Sequence, residues 1–123
     1  MAKFRFQDLI IWQKAIATGD KLIDISEKLE EIKKYRFAEQ LRGAALSVSN
    51  NIAEGSGSSS SLDFRRFLNF AHRSVFENAN IVLVLHKRQL VSDQELAVIL
   101  EELEMLAKMI TSFSKSLIRP SMQ

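Results

Sequence analysis

The sequence predicts an all-α protein, an antiparallel up-down-up-down four-helix bundle. The first observation is that apolar residues recur at intervals of three and four along most of the chain, the spacing of one helix face. The second is that the chain has a single proline, Pro120, close to its end. The third is that short segments connect four such stretches. Four helices with one apolar stripe each bury those stripes by packing together.

Composition predicts a single domain over residues 1–123. The chain is 46% hydrophobic and 26% charged, which is ordinary for a globular protein. It has no cysteine, which excludes disulfides, thiolate metal sites and cysteine nucleophiles. No run of about 18 apolar residues could span a membrane, and the first residues do not have the pattern of a signal peptide. We therefore expect a cytoplasmic protein.

The first two helices are predicted over residues 8–30 and 35–54. Asp8 is a residue type that commonly caps a helix N-terminus, so we expect it to cap the first helix. The second helix carries apolar residues at steps of four, three and four, and Gly55 follows it. Because glycine adopts the left-handed conformation at the least cost, we expect Gly55 to be the C-cap.

The third and fourth helices are predicted over residues 62–88 and 93–117. A flexible serine-rich loop precedes the third, and Ser60 or its neighbour is the expected N-cap. Ser92 and Glu95 have the spacing of a capping box, which places the start of the fourth helix at residue 93.

The third predicted helix is apolar on more than one face. A helix of this kind must be covered on several sides, which a small single bundle cannot do alone. We therefore expect a homo-oligomer. The expected interface residues are Phe67, Phe70, Phe76 and Leu83.

A polar line is predicted on the second helix, opposite its apolar stripe. It could be a groove for a ligand or partner, or a hydrogen-bonded network that sets the register between helices or subunits. The second interpretation is favoured, since buried polar groups often serve specificity rather than chemistry. The expected members of this network are Ser47, Asn50, Asn51, Glu54 and Glu77.

No catalytic or metal-binding set is visible in the sequence. Glu54 and Glu77 could form an acid pair, but pairing with Arg42 or Arg73 is the favoured interpretation. The two histidines are fourteen residues apart on one predicted helix, about 21 Å, and cannot share a metal ion within one chain. We therefore expect no enzyme activity, no metal and no cofactor.

Positive charge is concentrated in the middle of the chain. Between residues 33 and 88 there are nine Lys or Arg against four Asp or Glu, although the net charge is only +2. Such an asymmetry indicates either a solvated helix face or a surface that contacts nucleic-acid phosphates. The expected nucleic-acid-binding residues are Arg65, Arg66, Arg73, Lys87 and Arg88, with Arg42 adding to them.

Three segments carry a family resemblance: FRFQDLIIWQKA, QLRGAALSVSNNIAEGSG and DFRRFLNFAHRSVFEN. Together they resemble the four-helix-bundle proteins encoded in intervening sequences of bacterial 23S ribosomal RNA genes. That family is also similar to the accessory variability determinant of diversity-generating retroelements. The matching positions are Trp12, Arg42, Asn51, Glu54, Gly55, Phe64, Phe67, Leu68, Ser74 and Glu77.

The resemblance implies an antiparallel bundle assembled as a ring-like homopentamer with a central channel. For the retroelement relatives it also implies a basic surface that binds nucleic acid and a reverse transcriptase. This chain departs from the family pattern at Ser58, where a basic residue is common, and at Arg73, where glycine is common. The first departure removes positive charge and the second adds it.

These observations predict a non-enzymatic, oligomeric helical-bundle protein that binds RNA or DNA through phosphate contacts. The alternative is a structural assembly or protein-interaction module that binds no nucleic acid.

Overall fold

The computed structural model describes residues 1–118, and all regular structure within that range is helical. The predicted all-α class with four helices is therefore confirmed. No helix in this range is both long enough and apolar enough to cross a membrane. The elements are a short 3₁₀ turn at Arg5–Asp8, followed by α1 (Ile10–Glu31), α2 (Tyr35–Ser56), α3 (Ser61–Lys87) and α4 (Asp93–Ser116).

The four helices share one hydrophobic core. Helix α1 contacts α2 and α4, and α3 also contacts α2 and α4, so that within the described chain neighbouring helices form a closed cycle. Leucines Leu22, Leu41, Leu68 and Leu103, one from each helix, are at most 2% exposed. Full burial of each such side chain contributes about 1.5–3 kcal/mol of transfer free energy. Burial of these stripes, rather than helix propensity, stabilises the arrangement.

The N-terminal caps of α3 and α4 form as predicted. The Ser60 hydroxyl accepts a hydrogen bond from the Asp63 backbone amide at 3.1 Å. At α4, Ser92 accepts from the Glu95 amide, and the Glu95 carboxylate accepts from the Ser92 amide, each at 3.1 Å. These local signals are fixed by residues three apart, which is why the sequence reveals them.

The predicted cap at Asp8 is wrong. Helix α1 begins at Ile10 with Leu9 in the cap position, and Asp8 ends the preceding 3₁₀ turn, where it pairs with Lys3 at 2.7 Å. The aromatic rings of Phe6 and Trp12, 5.2 Å apart, pack this turn against the first turn of α1. Helix α1 thus starts two residues later than the predicted residue 8.

The predicted C-cap at Gly55 is also wrong. Helix α2 continues to Ser56, and the cap is Gly57 with φ of −83°, outside the left-handed region. Gly55 is needed for a different reason. A Cβ at this position would lie 2.8 Å from Phe64 Cδ1 and 2.8 Å from Phe67 Cβ, so only glycine lets α3 approach this closely.

Candidate nucleic-acid interface

The outward face of α3 carries a line of polar residues at seven-residue intervals. Arg66, Arg73, Asn80 and Lys87 are all exposed, and each is two helical turns from the next. A seven-residue step rises about 10.5 Å and turns the side chain by only about 20° from the previous one. The four residues, hereafter the outer line, therefore extend along about 32 Å of one helix face.

The cations of the outer line differ in their partners. The Arg66 guanidinium pairs with Asp63 Oδ1 at 2.9 Å and lies over the Phe67 ring, 5.6 Å from its centroid. Arg73 and Lys87 form no ion pair with any residue of the described range. Because an exposed pair such as Arg66 with Asp63 contributes little, a phosphate can compete for that arginine. The outer line can therefore present three positive charges to an anion.

The other predicted cations do not lie on the outer line. Arg88 is the C-cap residue of α3 and is exposed at that end of the helix. Arg65 is rotated toward α4, where it lines a cavity, and its Nε is buried. Arg42 lies on α2 and pairs with Glu30 of α1, which offsets its charge. The predicted basic set is thus divided among different faces.

The favoured pairing of Glu54 or Glu77 with Arg42 or Arg73 is wrong. Among residues 1–118 neither glutamate forms an ion pair, and both are exposed. Arg42 instead pairs with Glu30, near the end of α1.

The predicted interface residues lie on both sides of the outer line. Phe70 is 37% exposed on the side toward α2, and Phe76 (63%) and Leu83 (45%) are exposed on the side toward α4. Phe67 is half-buried, because its Cβ faces Gly55 of α2. Three of the four predicted residues are therefore accessible to a partner in the single chain.

A polar network joins α2 to α3. The hydroxyls of Ser47 and Ser74 are 2.7 Å apart, and Asn51 Nδ2 donates to the Ser47 carbonyl at 2.8 Å. Of the predicted network, Ser47 and Asn51 thus take part in these contacts. Asn50 and Glu54 are exposed on α2.

Glu77, the fifth predicted member, lies at the edge of a cavity between α2 and α3. The cavity has a volume of about 420 Å³, and Arg73, Phe70 and the three hydrogen-bonded residues of the network also line it. The sequence prediction therefore brings part of the network together and leaves Asn50 and Glu54 outside it.

Asn78 is the network residue that sequence reasoning missed. It is completely buried, and its Nδ2 donates to the carbonyls of Ala44 and Ser74, each at 2.8 Å. Its Oδ1 is buried without a partner in the described part of the chain. The available signal was its position between Val75 and Val82 on the apolar stripe of α3, where a polar residue must find partners inside the protein.

A second polar contact joins α1 to α4 and was not predicted. Glu102 accepts hydrogen bonds from Lys21 and, at 3.1 Å, from the Thr18 hydroxyl, with Lys14 Nζ 3.5 Å away. Burial raises the pKa of Glu102, but the hydrogen bonds from Lys21 and Thr18 and the charges of both lysines outweigh it. The pKa of Glu102 is therefore below its ordinary value of 4.5.

The chain matches a protein-family model, that of the 23S rRNA-intervening sequence protein, over residues 7–112. This range extends from the 3₁₀ turn into the second half of α4 and includes most of the chain. The chain belongs to that family. A search of the curated proteins found no match to this chain.

In this member of the 23S rRNA-intervening sequence protein family, the segment NIAEG is the last part of the α2 contact with α3. Its Asn51 belongs to the polar network, and its Gly55 permits the close approach of Phe64.

No group of three or more His, Asp or Glu residues in the described range is arranged to hold a metal ion. His86, on the far end of α3, contacts Asp93 at 2.6 Å.

Proposed function

We propose that this protein is a non-enzymatic, oligomeric helical-bundle protein that binds RNA or DNA through phosphate contacts. The observation that carries the proposal is the outer line, in which Arg66, Arg73 and Lys87 recur along one exposed helix face. Cations on a rigid helix suit phosphate oxygens because their spacing is fixed before binding. The line extends over about 32 Å, long enough to contact several phosphates of one strand.

The proposed binding is electrostatic and has little sequence preference. Arginine forms two parallel hydrogen bonds with a phosphate, whereas lysine acts as a point charge. Three cations on one protomer would bind weakly, and an oligomer would increase the affinity by presenting several outer lines at once. Affinity should accordingly fall with salt, since each phosphate contact releases condensed counterions.

The proposed assembly is a homo-oligomer, and the family resemblance implies a ring-like pentamer. Phe70 and Leu83 support assembly, because they are large, apolar and exposed on the two sides of the outer line. A similarity to the accessory variability determinant of retroelements, with a nucleic-acid or reverse-transcriptase partner, remains a prediction of that resemblance.

The proposed topology is an antiparallel up-down-up-down bundle. Three contacts between α2 and α3 support it: Ala44 with Asn78, Ser47 with Ser74, and Gly55 with Phe64. The residue numbers rise along α2 as they fall along α3, as expected for antiparallel neighbours. Between α1 and α4, Lys21 with Glu102 and Lys28 with Glu95 follow the same order.

A salt titration tests nucleic-acid binding. The full chain is mixed with a structured ribosomal RNA fragment and, separately, with duplex DNA, and bound nucleic acid is measured by filter retention at about 50 and 200 mM salt. The proposal expects binding at the lower salt and a loss of at least about tenfold in affinity at the higher. If neither nucleic acid is retained at the lower salt, the proposal is wrong.

The second candidate function is a protein-assembly module that binds no nucleic acid. The exposed Phe70 and Leu83 favour it, since apolar side chains are suited to a protein partner. It predicts a stable oligomer by light scattering together with no filter retention. Scattering at the mass of one chain, 14.0 kDa, across a concentration series would contradict assembly in both candidates.

A further inference from the structure

The groove between α3 and α4 contains a cavity of about 400 Å³ whose lining is basic. Arg65 and His72, two turns apart on α3, face Lys115 of α4 across it. No Asp or Glu of the described chain is among its lining residues. The volume lies within the range of small-molecule sites, and the charges favour an anion.

Neutral hydrogen-bonding groups complete this lining. Asn69, Thr111 and Ser114 supply an amide and two hydroxyls, and Leu68 and Ile110 form an apolar floor. The imidazole of a histidine offers one N–H donor even when it is neutral. Donors therefore come from both helices over an apolar floor, an arrangement typical of specific ligand sites.

Arg65 carries a buried donor that has no partner within the described chain. Its Nε is buried and has no hydrogen-bond acceptor among residues 1–118. An unpaired buried donor costs about 1–3 kcal/mol, and more when the group is charged. A rotation of the Arg65 side chain would bring this donor to an anion in the cavity that Arg65 lines.

The helix ends at this groove have opposing effects on an anion. The last carbonyls of α4 carry partial negative charge, which disfavours anion binding. Lys115 lies in the last turn of α4 and offsets that charge. Arg65 lies near the N-terminal end of α3, where the helix dipole is positive.

A second cavity of about 450 Å³ adjoins the first and shares His72, Thr111 and Lys115 with it. The Phe76 ring forms part of its wall, 63% exposed and with its centroid 5.1 Å from that of His72. An exposed aromatic ring is a stacking surface for a planar base. The two cavities together could hold a phosphate and an aromatic ring joined by a short linker.

We propose that the α3–α4 groove binds a nucleoside 5′-monophosphate group. The phosphate accepts hydrogen bonds from Arg65, His72 and Lys115, and the base stacks on Phe76. This site faces α4 and is distinct from the outer line, so it can bind its ligand whether or not the outer line binds nucleic acid.

Calorimetric titration of the full chain with AMP and, separately, with inorganic phosphate tests the site. AMP is expected to saturate it with a dissociation constant on the order of 1 mM or lower. Inorganic phosphate is expected to bind about tenfold more weakly, because it lacks the stacking ring. Absence of saturable binding up to about 10 mM AMP would overturn the proposal.

Adjacent arginines provide a matched pair of variants. Arg65→Gln is expected to weaken AMP binding at least about tenfold, since it removes charge-assisted hydrogen bonds. Arg66→Gln removes the same charge from the outer line and is expected to change AMP affinity less than about twofold. If Arg65→Gln loses helical circular dichroism, Lys115→Gln replaces it, with the same expectation. Equal effects of the groove variant and Arg66→Gln would contradict the site.

Two further titrations test whether the base stacks on Phe76 and whether the ligand is a free nucleotide or the end of a strand. Phe76→Ala is expected to lower AMP affinity to that of inorganic phosphate and to leave phosphate affinity unchanged; a loss of phosphate binding would contradict the proposed geometry. An adenosine tetranucleotide with a 5′-phosphate distinguishes a strand end from a free nucleotide. Affinity equal to that of AMP identifies a strand end as an acceptable ligand, and weaker affinity identifies the free nucleotide.

Discussion

The two flanks of α3 are built differently. Toward α2, Gly55 allows close approach at one end, and farther along, beside a cavity of about 420 Å³, Ser47, Ser74 and Asn78 connect the helices by hydrogen bonds. Toward α4, Phe64 and Phe113 meet edge to face at 5.6 Å, but two cavities of about 400 and 450 Å³ lie farther along the contact.

This difference indicates a division of roles along one helix. Small residues bring two backbones together, and hydrogen bonds between them fix the register, so the α2 flank holds α3 in position. The α4 flank has a cavity lined by cations and by no carboxylate of residues 1–118, whereas Glu77 lines the α2 cavity beside Arg73. The outer line between the flanks is open to solvent. The predictions below test whether the α2 flank carries the stability that this division requires.

The largest effect is expected from Gly55→Ala. The added methyl would lie 2.8 Å from the Phe67 Cβ, which is close to the backbone and cannot move without moving α3. Overpacking of this kind costs about 1–3 kcal/mol, and we expect the upper part of that range in urea unfolding. Gly43→Ala is the matched control, because nothing lies within 4 Å of the added methyl and alanine favours the helix. An equal stability of the two variants would contradict the close-packed flank.

A smaller loss is expected from Asn78→Ala. The change removes two buried hydrogen bonds, one of which joins α3 to the Ala44 carbonyl of α2. We expect a loss of about 2 kcal/mol in the free energy of unfolding. Asn80→Ala, on the exposed outer line of the same helix, is expected to change stability by less than about 0.5 kcal/mol. If thermal unfolding ranks the two variants in the opposite order, Asn78 does not hold the register.

The smallest effect is expected from Glu102→Gln, which alters the contact of α1 with α4. Because the folded pKa of Glu102 is below its ordinary value of 4.5, the stability that it contributes is present above pH 4.5. That contribution is lost as the pH falls through the folded pKa. Glu102→Gln should therefore lower stability at pH 7 and reduce its acid dependence below pH 4.5. Urea unfolding at several pH values measures both; parallel curves for the two proteins would rule out this linkage.

Local signals explain what the sequence predicted well. The Ser92 and Glu95 box needs only residues three apart, and the four apolar stripes need only helical periodicity. Gly55 was misinterpreted because its role depends on α3, which follows only after a loop. A cap and a close approach both favour glycine, and the sequence alone does not distinguish them.

The candidate sites were harder to predict because small rotations decide them. Arg65 and Arg66 are adjacent, yet one lines the α3–α4 groove and the other belongs to the outer line. The sequence predicts that Arg42 adds to the basic surface, but its charge is offset by Glu30 of another helix. Residue type predicted where positive charge is concentrated along the chain. The packing of neighbouring helices determines which of those charges share a face.

A matched charge reversal tests the central claim, that the outer line binds nucleic acid while the α2 flank holds the fold. Arg73→Glu with Lys87→Glu alters two exposed cations of the outer line, and Lys34→Glu with Arg36→Glu makes the same change in net charge at the start of α2. The account predicts that, at low salt, the first variant loses at least about tenfold in affinity for structured RNA and the second less than about threefold, with both unfolding as the parent does. Equal losses in the two variants, or none in the first, would contradict it.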